Sequence, residues 1–428
     1  MSTVHADPSA IVPTKPPHPI AFAILYLPFG ALGGYVGVTL AYLCTRPEHG
    51  LSVQDGTVLV ASGMVPHVWK FLWGPIADIT LTRKRWYVIS CVLCALGVMA
   101  LAAFPLKPAS LHLLQAINFI ANLACTFLGM SVEGLMAHST PPDQRGKAGG
   151  WFQAGNLGGY GLGGGAGLWM ATHLPSADQP QAWISGAAIG ACFLACIAAL
   201  WLVPEAPSET RGKGVAASVK HVAHELWDTI KSRGGAFCAI LCLLPINTGA
   251  AAGILVQAEV AAKWNAGEDT VAIVNGWLSG ALSVVGCLLG GFICDRFGSR
   301  KVYAAVALAM ALMTATMAFA PQSKPSYVGF LMVYNLLIGM SYAAFTGFVL
   351  DAIGKTAAAT KYNAFASLSN FPITYMGLVL GWTYKAYGEH GMLLSESAIE
   401  VCALLVLGGV AAAMLPGLKR RDSAPPSA

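Results

Sequence analysis

The sequence predicts an all-α polytopic membrane protein of twelve transmembrane helices arranged as two pseudo-symmetric six-helix bundles. Three observations carry that expectation. Hydrophobic residues make up 56% of the 428-residue chain and charged residues 11%, against roughly 25% charged in soluble domains. Apolar runs long enough to cross a bilayer recur along the whole chain. One short loop also occurs twice, about half a chain apart, as Gly74-Pro-Ile-Ala-Asp78 with Arg83-Lys84-Arg85, and as Gly291-Phe-Ile-Cys-Asp295-Arg296-Phe-Gly298-Ser-Arg300-Lys301. Each copy closes an apolar stretch, so a membrane-embedded half was duplicated, the arrangement of secondary transporters with a substrate path between halves.

The apolar runs fall near residues 19–44, 56–77, 85–105, 110–137, 149–172, 182–203, 236–259, 271–293, 301–320, 327–350, 363–384 and 397–416. About 20 residues span the hydrocarbon as a helix, and backbone groups in lipid must be paired internally, so runs of this length are helices and not barrel strands. Further matches keep the repeat in order: Ala23 to Pro28 returns as Ala239 to Pro245, and Gln153-Ala-Gly-Asn156 resembles Ser367-Leu-Ser-Asn370. The expected organisation is a tail over 1–18, bundles over 19–203 and 236–416, a linker over 204–235 and a tail over 417–428. Both tails and the linker are expected in the cytoplasm. That orientation places nineteen of the twenty-five basic residues inside, as the positive-inside rule requires. The net charge of +5 then reflects topology and gives no reason to invoke nucleic acid. The first run exceeds a signal-peptide core and is expected to remain uncleaved.

The eleven cysteines fall in the spans or at their ends and read as small apolar packers, including Cys91 and Cys94. The ten histidines lack metal-ligand spacing, so no metal or other cofactor is expected, and a membrane-embedded enzyme is disfavoured. In the linker, Val215 to Ile230 fits an amphipathic surface helix.

Polar residues inside the spans locate the candidate site. Gln115, Asn118, Asn122, Cys125, Gly129 and Glu133 share one face of the fourth helix by their spacing. Polar groups in hydrocarbon are costly, so this stripe faces either a wet cavity or another helix. Glu133 is the candidate proton carrier, with a static ion pair to Arg145 or Lys70 as the alternative. The fifth helix repeats the pattern with Gln153, Asn156 and Tyr160, followed by a glycine-rich run from Gly158 to Gly167 suited to close helix packing. In the second half, Asn335, Tyr342 and Thr346 share a face of the tenth helix, and Ser367, Asn370 and Thr374 a face of the eleventh. The seventh helix carries Asn247, Thr248 and Gln257 around a break at Pro245 and Gly249, where freed backbone groups become ligands. Tyr26 lies beside Pro28 and Gly30 in the first helix. Lys70, on one face with His67, has three readings: it snorkels to the surface, holds an anionic substrate or neutralises Glu133. Glu259 and Glu400 are expected near the outer side.

The second loop copy resembles the signature loop of the major facilitator superfamily, and the first copy is a degenerate form of it. What that resemblance implies is an intracellular charge network that latches the halves and breaks as they rock, formed here by Asp78, Arg83, Arg85, Arg145, Asp295, Arg296 and Arg300. Within the superfamily, Lys70-Phe-Leu-Trp73-Gly-Pro75-Ile-Ala-Asp78 is similar to a stretch of the peptide and acetyl-coenzyme A transporter branch, which includes AmpG-like muropeptide permeases and siderophore importers. Those permeases carry an acidic pair in the fourth helix, where this chain has only Glu133. The resemblance implies a monomeric, proton-coupled importer in a bacterial inner membrane. Its expected partners are the lipid bilayer, protons and a medium-sized polar solute such as a muropeptide or siderophore. Substrate contacts are expected from Tyr26, Lys70, Gln115, Asn118, Asn122, Gln153, Asn156, Asn247, Asn335, Tyr342 and Asn370. The alternative is a proton-driven exporter of metabolites or drugs.

Overall fold

The computed structural model describes residues 17–139, 145–174, 183–205, 220, 224, 227–228, 230–353 and 358–414; the side chains of residues 74–75, 78–79, 137–138, 145–150, 233, 295, 350–353 and 358–363 lie outside that description. Residues 1–16 and 415–428 and most of the linker helix expected over 215–230 lie outside it as well. Among the described residues the regular structure is helical.

Among the described residues, eight helices are long and apolar enough to cross a membrane: Ile20–Cys44, Arg83–Ala103, Pro108–Met136, Trp183–Leu202, Glu268–Cys294, Ser299–Ala318, Lys324–Val349 and Ala364–Met414. These hold the first, third, fourth, sixth, eighth, ninth, tenth and combined eleventh and twelfth predicted spans. The remaining spans differ from simple apolar rods for local reasons. The second begins earlier than predicted, at Val53, where Ser52 and Asp55 form a capping box. It breaks at Trp69 (φ −101°, ψ 6°) into Val53–Val68 and Lys70–Ile79, just after Pro66, whose ring removes a helix donor. The fifth, from Arg145 through a π turn at Leu162–Ala166 to His173, is diluted by glycine.

The seventh span breaks twice, into Arg233–Leu243, Ala250–Leu255 and Ala258–Lys263. Pro245 cannot donate to the helix ladder, and the turn that follows needs left-handed backbone at Asn247 (φ 55°) and Gly249 (φ 71°), a region open to glycine and tolerated by asparagine. The loop expected between the eleventh and twelfth spans is a correction. Helix runs from Ala358 to Met414, interrupted only where Gly388 turns the chain (φ 68°, ψ −168°).

Glycines bring two helix pairs into backbone contact. A Cβ on Gly163 would sit 1.9 Å from the Ala31 carbonyl oxygen, and one on Gly30 would sit 1.8 Å from that of Asn156. With Gly34, Gly155 and Gly159 these form a seam between the first and fifth spans. In the second half the same device joins the eighth and tenth spans, where a Cβ on Gly286 would lie 2.1 Å from the Leu336 oxygen and one on Gly339 would lie 2.1 Å from that of Ser283. Association in lipid rests on close packing, which small residues permit. Gly276 of the eighth span meets the Gly165 backbone of the fifth, so a glycine contact also joins the two halves.

Candidate functional site

The break at Trp69 sets Lys70 at the start of a new helix, turned toward the fourth span. Lys70 Nζ lies 3.6 Å from Glu133 Oε1, with the two side chains 11% and 21% exposed. In this conformation Lys70 faces Glu133. The pair has loose ends: Glu133 Oε2 is enclosed without a hydrogen-bond partner, and so is the Trp73 indole nitrogen. Arg83 stands nearby, since a Cβ on Gly134 would meet its Nε at 2.4 Å. Tyr26 stacks between Phe152 and Phe29, with ring centroids 3.7 and 4.6 Å away, and its hydroxyl faces Gly129 one turn from Glu133.

Above the ion pair, the fourth-span stripe is bonded to the second span. Asn118 is fully enclosed and donates to the Leu59 carbonyl at 2.7 Å. Asn122 donates to Asn118 Oδ1 at 2.8 Å, and its oxygen pairs with His67 Nε2 at 3.1 Å. A Cβ on Gly63 would strike both amides, so the second span approaches because residue 63 is glycine. In this conformation Asn118, Asn122 and His67 hold helices together. Gln115, at the end of the stripe, pairs with His112. Asn156 donates to Gln153 Oε1 at 3.2 Å, and Asn335 donates back to the Leu331 carbonyl. Tyr342 is 44% exposed. Asn370 reaches across the halves and donates to the His67 carbonyl at 3.3 Å.

A second acidic centre joins Glu400 to Glu396, four residues earlier on the same helix. Glu400 Oε1 accepts from the Asn247 amide at 2.8 Å, and Glu396 Oε1 accepts from the Ala251 amide at 3.0 Å and the Tyr334 hydroxyl at 3.2 Å. Both carboxylates are buried and stand on the twelfth span at i and i+4, one face of a helix. The expectation that Glu400 lies near the outer side is corrected. At 1.5 Å per residue it sits about 18 Å along the helix from the Gly388 turn, and its partner Asn247 also donates to the Tyr303 carbonyl, early in the ninth span. Its partner is the donor that Pro245 and the left-handed turn free from the seventh span. Replacing Glu396 or Glu400 with leucine is expected to cost about 2 kcal/mol each by orphaning these donors, and glutamine, which keeps an acceptor, is expected to cost less. Thermal unfolding in detergent measures both, and equal losses for leucine and glutamine would count against the capping role.

The family model for the major facilitator superfamily matches residues 20–377. The chain belongs to the major facilitator superfamily. It is a multi-pass membrane transporter of the secondary class and not an enzyme. Solved transporters share the fold: a D-xylose–proton symporter, 17% identical, aligns over 90% of this chain and 96% of its own with a TM-score of 0.71. The xylose transporter XylE from E. coli in an inward open conformation, 16% identical, aligns over 91% and 96% with a TM-score of 0.69. The nucleoside transporter NupG, 13% identical, aligns over 91% and 98% with a TM-score of 0.66. No curated protein matches the chain.

In this major facilitator chain the signature loops turn where the sequence places them. Gly298 adopts φ 87°, a backbone suited to glycine, and the ninth span starts directly after it. Arg300 lies over the Phe237 ring, 5.5 Å from its centroid, and Arg296 over Phe297 at 5.9 Å. Glu205 accepts from the Arg83 and Lys84 amides, and Thr82 from that of Arg85, so the basic cluster opens a well-capped third span. The side chains of Asp78, Arg145 and Asp295, the remaining members of the expected network, lie outside the described residues.

The opposite face, which carries residues 45–50 and 264–268, is closed by contacts between the halves. Tyr42 donates to Glu268 Oε2 at 3.3 Å, and Arg46 Nη2 lies 3.6 Å from the same oxygen. The Ala258 amide donates to Thr45 Oγ1 at 2.8 Å, and fully enclosed Gln257 donates to Thr57 Oγ1 at 3.0 Å. Gly56 makes room for it, since a Cβ there would lie 2.7 Å from Gln257 Oε1. Gln257→Ala removes a buried bond worth about 1 kcal/mol and is expected to shift the balance about five-fold toward opening on this face. Distances between spin labels at Glu48 and Asn265 measure that shift; an unchanged distribution would show that Gln257 is only a filler.

Proposed function

We propose that this chain is a proton-coupled importer in a bacterial inner membrane that takes up a medium-sized polar organic solute of the muropeptide or siderophore kind. The single observation that carries the proposal is the Lys70–Glu133 pair, an acid and a base held 3.6 Å apart inside the membrane. Ionisable residues at such depth are costly and mark solute or proton paths. Glu133 binds the proton, and Lys70 answers the change in its charge. Tyr26, Gln153, Asn156, Asn247, Asn335, Tyr342 and Asn370 supply solute contacts, and Gln115, Asn118 and Asn122 join them when the second and fourth spans part.

The chain acts as a monomer with both tails in the cytoplasm. The bundles over 19–203 and 236–416 rock about the site by alternating access. Asp78, Arg83, Arg85, Arg145, Asp295, Arg296 and Arg300 latch the cytoplasmic face, and Tyr42, Arg46, Gln257 and Glu268 the outer one. The Lys70 to Asp78 stretch supports placement in the peptide and acetyl-coenzyme A transporter branch, and the D-xylose–proton symporter supports proton coupling on this fold. The test is transport in right-side-out vesicles against a solute panel. Import by symport requires accumulation when the outside is acidified, and efflux under the same gradient would establish the exporter instead.

A further inference from the structure

The charge balance at Lys70 and Glu133 restricts what the proposed importer carries. As drawn, the pair is neutral, with an ammonium and a carboxylate 3.6 Å apart. A proton arriving on Glu133 removes the negative partner and leaves Lys70, which is 9% exposed, as an uncompensated charge. An unpaired buried charge costs several kcal/mol. Among the described side chains near the pair, His67 is tied to Asn122, and the Tyr26 hydroxyl lies beside Gly129. The side chains of Asp78 and Arg145 lie outside the described residues.

Two enclosed atoms point to what fills the deficit. The Trp73 indole N–H, three residues after Lys70 and thus on the same helix face, is a buried donor with no acceptor. Glu133 Oε2 is a buried acceptor with no donor. Buried polar atoms without partners are rare, and each calls for an explanation. A proton on Glu133 gives its carboxyl a donor, and an incoming oxyanion satisfies both the indole and the freed ammonium.

We propose that Lys70 and Trp73 form a binding site for an oxyanion, a carboxylate or phosphate group of the solute, which enters together with the proton that neutralises Glu133. The proposal rests on Glu133 as the coupling group. The balance is explicit: one proton passes from water to the Glu133 carboxylate, one negative charge takes its place beside Lys70, and the site remains neutral. Uptake of a singly charged anion is therefore electroneutral and insensitive to membrane potential. Proton and anion each favour the other's binding, because linkage between two sites is reciprocal.

The experiment uses the full chain in detergent, unfolded thermally in acetate, inorganic phosphate or neutral acetamide, in acidic and in alkaline buffer. A ligand that binds the folded state raises the unfolding temperature, by more the tighter it binds, as the logarithm of its concentration over its dissociation constant. The expected result is that Glu133→Gln binds acetate or phosphate about ten-fold or more tightly than the unaltered chain in alkaline buffer. Acidification brings the unaltered chain to the same level. The double variant Lys70→Met, Glu133→Gln, which removes both charges and so orphans neither, is expected to lose the gain, and acetamide to give none in any chain. Acetate against phosphate reports which oxyanion the site prefers. Equal stabilisation of Glu133→Gln and the double variant would overturn the anion site. An anion gain in Glu133→Gln without one in the acidified unaltered chain would preserve the site and overturn Glu133 as the coupling group.

Discussion

Gly163→Val is expected to prevent the first and fifth spans from docking, at a cost of about 3 kcal/mol or more, the upper range for overpacking a filled interior. The valine Cβ would lie 1.9 Å from the Ala31 oxygen, closer than any real contact, and the obstacle is main chain on both sides. No rotamer relieves it. The helices must separate, and the neighbouring contacts at Gly30, Gly34, Gly155 and Gly159 separate with them. Size-exclusion profiles and unfolding temperature in detergent report the loss. Gly158→Val is the control, since nothing lies within 4 Å of a Cβ there. If both variants behaved alike, the seam would not be what joins these spans.

Glu133→Gln is expected to abolish accumulation of solute while exchange across the membrane continues. A unit of pH difference is worth about 1.4 kcal/mol per proton, enough for about ten-fold accumulation by a one-proton symporter. The variant is expected to equilibrate solute at equal concentrations regardless of that gradient. Glutamine preserves the size of the side chain, and Lys70 and the fourth span remain, so counterflow should persist. Uphill uptake at the normal ratio would show that Glu133 is only a fixed counter-ion and that the proton travels elsewhere.

Much of the fold was legible because the bilayer imposes a simple rule. Twenty apolar residues are a helix, and basic loops and a duplicated Gly-to-Arg turn order the helices around a pseudo-axis. Breaks followed local chemistry where proline and left-handed residues coincide, as at Pro245, Asn247 and Gly249. Trp69 was not foreseen, because Pro66 alone marked that stretch and many membrane helices absorb a proline. The eleventh and twelfth spans looked separate because hydropathy falls between them, although Gly388 alone makes the turn.

Within the site, spacing placed Asn118, Asn122 and Glu133 on one face correctly, yet spacing cannot say what that face meets. Gly63 decides it by letting the second span come within bonding distance of both amides. Glu396 and Glu400 show the converse. Their separation by four residues within an apolar run was a visible signal, but their partners are backbone amides some 150 residues earlier, and backbone donors leave no mark in a sequence.

That last pairing orders the birth of the molecule. The amides of Asn247 and Ala251 enter the membrane when the seventh span does, while their acceptors lie close to the carboxyl end of the chain. Lipid offers no substitute partner. The second half thus waits with two unanswered donors until the twelfth span has been made, and a chain cut short after Gly388 leaves them so.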